Sequence, residues 1–317
     1  MAIGFNLCNK IGGGAGAEVY LDNVEITPSE VRLLTIPSIT IDLTRIMSSL
    51  PYDFKGGKVV ICNNELHILG SADSGNETKH YKFNFTTATW TEVSTLPYDF
   101  YIGAAVVYNN EIHILGGYTN KTKHYKFNFT TATWTEVSTL PYDFYSGAAV
   151  VYNNEIHILG SGVSGNETKH YKFNFTTATW TEVSTLPYNF ARGNAVVYNN
   201  EIHILGGSAG TVYEHFKFNN TSWTSVSTLP YIFYDGCSVV YNNEIHILGG
   251  SSLGTETNHY KFNLTSWTSV NSLPYDFKSG SAIVYNNEIN ILGGLNNATK
   301  HYSLNLNIDK VVESITL

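Results

Sequence analysis

The chain has 317 residues, 14% of them charged and 43% hydrophobic, with a formal net charge of −8. Charged residues fall well below the roughly 25% of an average soluble protein, and there are only three arginines, Arg32, Arg45 and Arg192. That balance weighs against nucleic acid and against anionic membranes as partners, since both demand clustered Lys and Arg. No stretch approaches the about 18 consecutive apolar residues of a membrane span, so no membrane insertion is expected.

From the N-terminus, Met1 to Lys10 lacks a basic region followed by a long apolar run, so no secretory signal is expected. A cytoplasmic or virion-associated location is the resulting expectation. Ile11-Gly-Gly-Gly-Ala-Gly16 has no Gly-Lys-Ser/Thr ending, so it is not read as a phosphate loop. Residues 1–36 form an appendage and read as a tether or docking piece for a larger particle. Residues 37–317 form the main domain. The cysteines Cys8, Cys62 and Cys237 have no metal-ligand spacing and an odd count, which fits isolated thiols in a reducing compartment.

The pentapeptide Leu-Pro-Tyr-Asp-Phe, or a close variant, begins at Leu50, Leu96, Leu140, Leu186, Leu229 and Leu273, at spacings of 46, 44, 46, 43 and 44 residues. Strand-patterned units of about 40–50 residues point to a propeller or a related array. In the second unit, Gly103-Ala-Ala-Val-Val-Tyr108 reads as a buried strand A. Asn109-Asn110 makes a tight hairpin, because Asn tolerates positive φ. Glu111-Ile-His-Ile-Leu115 is strand B, and Gly116-Gly117 ends it. After a variable loop, His124-Tyr-Lys-Phe-Asn-Phe129 is strand C and Trp134-Thr-Glu-Val-Ser138 is strand D. Leu140-Pro141 then leads into the next unit, where proline forgoes a ladder bond. The Asn-x-Thr sequons, such as Asn84-Phe85-Thr86, are strand-end and turn chemistry.

The recurring Gly-Gly pairs (Gly116-Gly117, Gly206-Gly207, Gly249-Gly250, Gly293-Gly294) precede a Tyr and a Trp, as in Tyr81/Trp90, Tyr125/Trp134, Tyr171/Trp180 and Tyr260/Trp267. Over about residues 50–306 this resembles the kelch repeat. The resemblance implies an all-β, six-bladed propeller of four-stranded blades, with a short N-terminal appendage. Units one and three depart with Gly70-Ser71 and Gly160-Ser161, unit four has Phe216 for Tyr, and unit six lacks the Trp. The last blade therefore needs a fourth strand from elsewhere. Ile41 to Met47 is favoured, with Met47 in register with Val93. Lys310 to Leu317 is the rival.

The six copies act as an internal control. The A–B turn is Asn-Asn throughout, and the C–D turn varies little. The opposite face, made of D–A and B–C loops, diverges: Lys55, Tyr101, Tyr145, Arg192, Tyr234, Asp235 and Lys278 on the former, Tyr118, Asn120 and Tyr213 on the latter. The first position of strand A varies as well, at Lys58, Ala104, Ala148, Asn194, Cys237 and Ser281. Loops on a rigid scaffold are where function concentrates. These residues are therefore the expected ligand-binding face, with tyrosines suited to sugars or polar protein epitopes.

Eleven histidines lie in the repeats. A catalytic or metal site would not be copied around a ring, so they read as cross-strand polar pairs. No metal, no cofactor and no catalytic residue is expected. Glu65 and its equivalents read as solvated strand starts, and the linker Asp53, Asp99, Asp143 and Asp276 as turn formers. Asp235 and Lys278 are the one acid/base pair worth testing. A kelch-like sugar mutarotase is disfavoured because ligand carboxylates are best held by bidentate arginine, and only Arg192 falls in the propeller repeats.

The expectation is thus a non-enzymatic recognition module for a protein or a cell-surface glycan. Its repetitive, Asn/Thr/Tyr-rich composition is similar to that of phage tail and baseplate receptor-binding proteins. The alternative is an intracellular kelch-type scaffold for protein–protein interaction.

Overall fold

A computed structural model describes residues 43–207, 213–251 and 254–306. The expectations for residues 1–36 and for Lys310–Leu317 lie outside the described residues. The described chain forms six four-stranded antiparallel sheets, arranged as a six-bladed β-propeller. In blade one the strands are Lys58–Cys62, Glu65–Leu69, His80–Asn84 and Thr89–Glu92. They lie in the order A-B-C-D from the axis outward.

The last blade is closed by the N-terminal strand Leu43–Ile46, which pairs antiparallel with His301–Asn305 from Leu43↔Asn305 to Ile46↔Tyr302. Met47 N–H donates to His301 O at 2.9 Å, just as Val93 N–H donates to His80 O at 2.9 Å. The expected register therefore holds, and sealing the ring between the two ends of the domain leaves no raw sheet edge at the seam.

The hydrophobic core is not one mass but six layers, each between adjacent blades. Between blades one and two it comprises Val60, Cys62 and Leu69 against Leu96, Phe100, Ile112, Ile114 and Phe127. The linker pentapeptide is the joint. Its Leu and Phe are buried in every copy, as with Leu96 and Phe100. Its Tyr hydroxyl donates to the carbonyl of the first glycine after strand B, as Tyr98 does to Gly116 O at 3.0 Å.

That glycine cannot be anything else. Gly116 has φ +57, and a Cβ there would lie 2.1 Å from Phe144 O of the next blade's linker. The second glycine is less demanding, which explains the departures at Ser71 and Ser161. Ser71 Oγ donates to Asp53 O at 2.7 Å, and Ser161 Oγ donates to Asp143 O at 2.8 Å. The linker aspartates thus hold the B–C loops through their main-chain carbonyls, rather than through the carboxylate expected from turn chemistry.

The Asn-Asn turns take positive φ at both residues, as at Asn109 (47°) and Asn110 (61°), the geometry of a two-residue hairpin matched to strand twist. Asn84 Oδ1 accepts from Thr86 N and Thr87 N at 2.8 and 3.0 Å, so the sequon asparagine shapes the C–D turn. Glu65, expected to be solvated, instead pairs with Lys82 at 2.9 Å. The same pair recurs as Glu111–Lys126, Glu155–Lys172, Glu201–Lys217 and Glu244–Lys261.

The histidines form the expected pairs, wholly buried. His67 Nδ1 and His80 Nε2 are 2.9 Å apart, and four further blades repeat the contact. Blade six substitutes Asn290, whose Oδ1 lies 3.0 Å from His301 Nε2. Burial drives the pKa of the first histidine down to about 4 and that of the second to about 3 in blade one.

Candidate recognition face

The D–A linkers and B–C loops share one end of the propeller. Two concentric rings of main-chain bonds organise it. In the inner ring each blade donates to its neighbour: Ile102 N to Gly56 O, Ser146 N to Ile102 O, Arg192 N to Ser146 O, Asp235 N to Arg192 O, Ser279 N to Asp235 O, and Gly56 N to Ser279 O. The six bonds span 2.6–2.9 Å and close head to tail around the axis. All six residues have positive φ, from 54° at Asp235 to 66° at Gly56. Five of them carry side chains in a backbone region that usually selects glycine. The closed ring over-determines that conformation, which is how a strained backbone persists.

The outer ring ties the B–C loop to the linker of its own blade in blades one, two, three, five and six. Tyr118 N donates to Tyr101 O at 3.1 Å, Ala72 N to Lys55 O at 2.7 Å, Gly162 N to Tyr145 O at 2.7 Å, Ser251 N to Tyr234 O at 2.7 Å and Leu295 N to Lys278 O at 2.9 Å. Thus Lys55, Tyr101, Tyr145, Tyr234 and Lys278 occupy equivalent positions on one rigid rim, each next to a residue of the inner ring. Their half-exposed side chains start from fixed backbone.

Around this rim the chemistry is not uniform. On blades two and three the tyrosines form a continuous surface. Tyr101 and Tyr118 stack at 5.6 Å between centroids, and Tyr118 meets Tyr145 edge-on at 5.6 Å. Lys121 Nζ stands 5.4 Å from the Tyr145 ring centroid, and the Tyr145 hydroxyl donates to Gly162 O at 2.9 Å. Tyr118 is 52% exposed. Burial, then the neighbouring Tyr118, raises the Tyr101 hydroxyl pKa above its ordinary value. Asn120 Nδ2, beside it, donates to Thr119 Oγ1 at 2.9 Å.

On blades four to six the rim is charged. Arg192 Nε donates to Asp235 Oδ1 at 2.9 Å, and its second nitrogen bonds the other carboxylate oxygen. The Arg192 guanidinium lies 4.9 Å from the Tyr234 ring centroid, and Lys278 Nζ lies 5.3 Å from the same centroid. Asp235 is therefore the partner of Arg192, not the free acid of an Asp235/Lys278 pair. The bond to Asp235 raises the Arg192 pKa further. Lys55 pairs with Asp73 at 2.7 Å.

Tyr213 is 43% exposed, and its carbonyl accepts from Leu229 N–H at 2.7 Å. Among the described residues no aromatic contact links it to the other four tyrosines. The structure thus divides the expected site residues into a tyrosine sector (Tyr101, Tyr118, Tyr145, with Asn120 beside it) and a charged sector (Arg192, Tyr234, Asp235, Lys278, with Lys55 on blade one). Sequence reasoning missed Lys121 and Asp73, although both lie in the variable B–C loops that drew attention to their neighbours.

The varying first position of strand A points to the next blade rather than to the rim. Asn194 Nδ2 donates to Gly236 O at 2.9 Å, Cys237 Sγ to Gly280 O at 3.3 Å and Ser281 Oγ to Gly57 O at 3.0 Å. Below the ring, the axial channel holds a cavity of about 370 Å³ whose lining is aliphatic, including Val59, Val107, Val151 and Val284.

A family model described as the KLHDC2/KLHL20/DRC7 Kelch-repeats domain matches residues 56–250. No curated protein matches the chain. Among solved structures, one titled "Structure of YjhT" superposes with a TM-score of 0.69 at 16% sequence identity, covering 82% of this chain and 95% of that one. At that identity the likeness is one of fold.

Proposed function

The chain belongs to the kelch-repeat family, and from that premise we propose that it is a non-enzymatic recognition module whose D–A/B–C face binds a cell-surface glycan. The observation that carries this reading is the Tyr101–Tyr118–Tyr145 surface, held by two main-chain rings. Flat aromatic rings with one polar edge supply contact area at low entropic cost. A sugar offers apolar C–H faces to the rings and hydroxyls to Asn120 and Lys121.

A binding role is favoured over catalysis by two features. The axial cavity is lined by aliphatic side chains, which offer no general acid or base. Arg192 is held by Asp235, and Arg45 in the closing strand binds Glu288 at 2.9 Å. Neither guanidinium is thus poised to clamp a substrate carboxylate, as a sugar-acid mutarotase would need. Weak sites of this kind gain from avidity on a multimeric particle, consistent with a phage-tail type of receptor-binding protein that docks through residues 1–36.

The charged sector favours a second reading, a protein partner. Arg192 and Lys278 both stand close to the Tyr234 ring, a cation–aromatic cluster of the sort enriched in protein interfaces.

Binding of the purified chain to a glycan array and to whole bacterial cells tests the proposal. The variant Tyr101→Ala/Tyr118→Ala/Tyr145→Ala is expected to lose that binding while keeping the wild-type melting temperature. Retention by this variant, with loss in Lys278→Ala/Tyr234→Ala, would move the site to the charged sector. Absence of binding to any glycan or cell would sink the glycan reading.

A further inference from the structure

Gly162 opens the B–C loop of blade three and donates its N–H to Tyr145 O at 2.7 Å, as one link of the outer main-chain ring. Ala72, Tyr118, Ser251 and Leu295 make the equivalent links in their own blades. Side chains of different size and polarity thus occupy this position with the link intact, so the scaffold does not call for glycine there. Nor does the local backbone, because the φ of Gly162 lies outside the left-handed region.

What sets blade three apart is Tyr145. Its hydroxyl folds back and donates to Gly162 O at 2.9 Å. A Cβ on Gly162 would lie 2.9 Å from Tyr145 Cε2, 3.1 Å from Cζ and 3.3 Å from Oη. All three atoms belong to that one side chain. At Gly116, Gly160 and Gly206, by contrast, the nearest atom is a linker carbonyl of the next blade. Those glycines serve the joint between blades, whereas Gly162 makes room for the tyrosine.

With an alanine at this position the ring, not the loop, must give way. Ser161 Oγ donates to Asp143 O at 2.8 Å, and Val163 N donates to Ser161 Oγ at 3.2 Å, so the backbone is tied on both sides. Non-bonded carbons rest at ~3.5–4.0 Å, so Cε2 would retreat by about 0.6 Å or more from its 2.9 Å contact. That exceeds the ~0.5 Å within which a binding group must be held. The hydroxyl bond already sits near the long end of the ~2.5–3.0 Å range for O–H···O and would not survive the shift. Tyr118, which meets Tyr145 edge-on at 5.6 Å, would lose its neighbouring wall.

We propose that Gly162 is a positioning residue of the recognition face. Its missing side chain holds Tyr145 against the B–C loop and edge-on to Tyr118, in the pose that meets the apolar face of a sugar. This role rests on the glycan reading of the tyrosine sector.

Two measurements on Gly162→Ala test it. In spectra of the chain labelled with carbon-13 at the tyrosine ε positions, the Tyr145 signal, assigned with Tyr145→Phe, should shift. The Tyr118 signal should shift with it, while the melting temperature stays that of wild type. On a glycan array the variant should lose about tenfold or more of the wild-type apparent affinity. Gly165→Ala is the control from the same loop, since a Cβ there meets nothing within 4 Å. It should leave both the Tyr145 signal and glycan binding as in wild type. An unshifted Tyr145 signal overturns the positioning. So does a melting temperature lowered further than in Gly165→Ala, which would assign Gly162 to the fold. A shifted signal with undiminished glycan binding overturns the role in recognition. Failure of the wild type to bind any glycan overturns the underlying reading instead, and the Tyr145 signal then still decides whether Gly162 positions the ring.

Discussion

Arg192 and Asp235 are joined twice across the boundary of blades four and five. The guanidinium grips the carboxylate through two nitrogens, and Asp235 N–H donates to Arg192 O at 2.9 Å. The side-chain pair thus sits on top of one link of the main-chain ring. Fixed backbone on both sides lowers the entropic cost that usually cancels a half-exposed ion pair. A double-mutant cycle on Arg192→Ala and Asp235→Ala, read by urea unfolding, should give a coupling of about 1 kcal/mol, at the upper end for exposed pairs. A coupling near zero would mean that the main-chain link alone sets this joint.

Ile102 carries the clearest strain in the ring. It is β-branched and held at φ 55°, where such residues are outliers. Ile102→Gly should leave stability unchanged or raise it by about 1 kcal/mol, since left-handed backbone costs a non-glycine residue roughly 1–2 kcal/mol. At the equivalent position of blade one, Gly56→Val should lower it by about the same amount. Thermal melts check the point: a lower midpoint for Ile102→Gly, or an unchanged one for Gly56→Val, would contradict it.

Two glycines with positive φ separate backbone strain from steric contact. A Cβ at Gly116 meets Phe144 O at 2.1 Å, whereas one at Gly75 (φ +85) meets nothing within 4 Å. Gly75→Ala should cost only about 1 kcal/mol, the left-handed penalty. Gly116→Ala should cost about 4 kcal/mol or more, because the contact lies on backbone that cannot move without parting two blades. Similar urea midpoints for the two variants would contradict the packing described for the linker.

Acid should unfold this protein steeply. In the folded state burial holds the first histidine of each pair at about 4 and the second at about 3, as for His113 and His124. Both lie below the unfolded value of about 6.5. The unfolded chain therefore binds more protons between those values. Stability is complete above about pH 6.5 and falls as pH drops through the window toward 4 and then 3. Each such histidine contributes up to about 1.4 kcal/mol per pH unit there. Blade six already uses Asn290 in place of the first histidine, bonded to His301 at 3.0 Å. His113→Asn should accordingly fold at pH 7.5 and shallow the pH dependence of the urea midpoint. An unchanged slope would mean that His113 takes up as many protons in the folded chain as in the unfolded one.

The seam rests on few residues. Met47→Pro removes the N–H that donates to His301 O at 2.9 Å. It should lower stability by about 2 kcal/mol or more and leave the edge of His301–Asn305 prone to association. Urea unfolding together with light scattering reads both effects.

Most of the fold was legible because the chain states it six times. The linker, the Asn-Asn turns, the Gly-Gly and the Tyr/Trp positions recur where backbone geometry permits few alternatives. Gly116 shows why: local φ and a neighbouring carbonyl both forbid a side chain. The closing strand was legible for a related reason, since a linker at Leu50 needs a D-like strand before it. Less of the candidate face could be read. Variation marked Lys55, Tyr101, Tyr145, Arg192, Tyr234, Asp235 and Lys278 as positions, but not as groups. Residues 43 apart, such as Arg192 and Asp235, become neighbours only when blades are placed side by side.

The sequence by itself determined the period, the strand order within a blade and the face on which the copies diverge, because local patterning and turn chemistry specify each of these. Tertiary structure alone decided that the diverging residues split into a tyrosine sector and a charged sector. It also decided that a ring of six main-chain bonds girdles the axis. Those facts depend on distances between blades, and no repeat carries them within its own length.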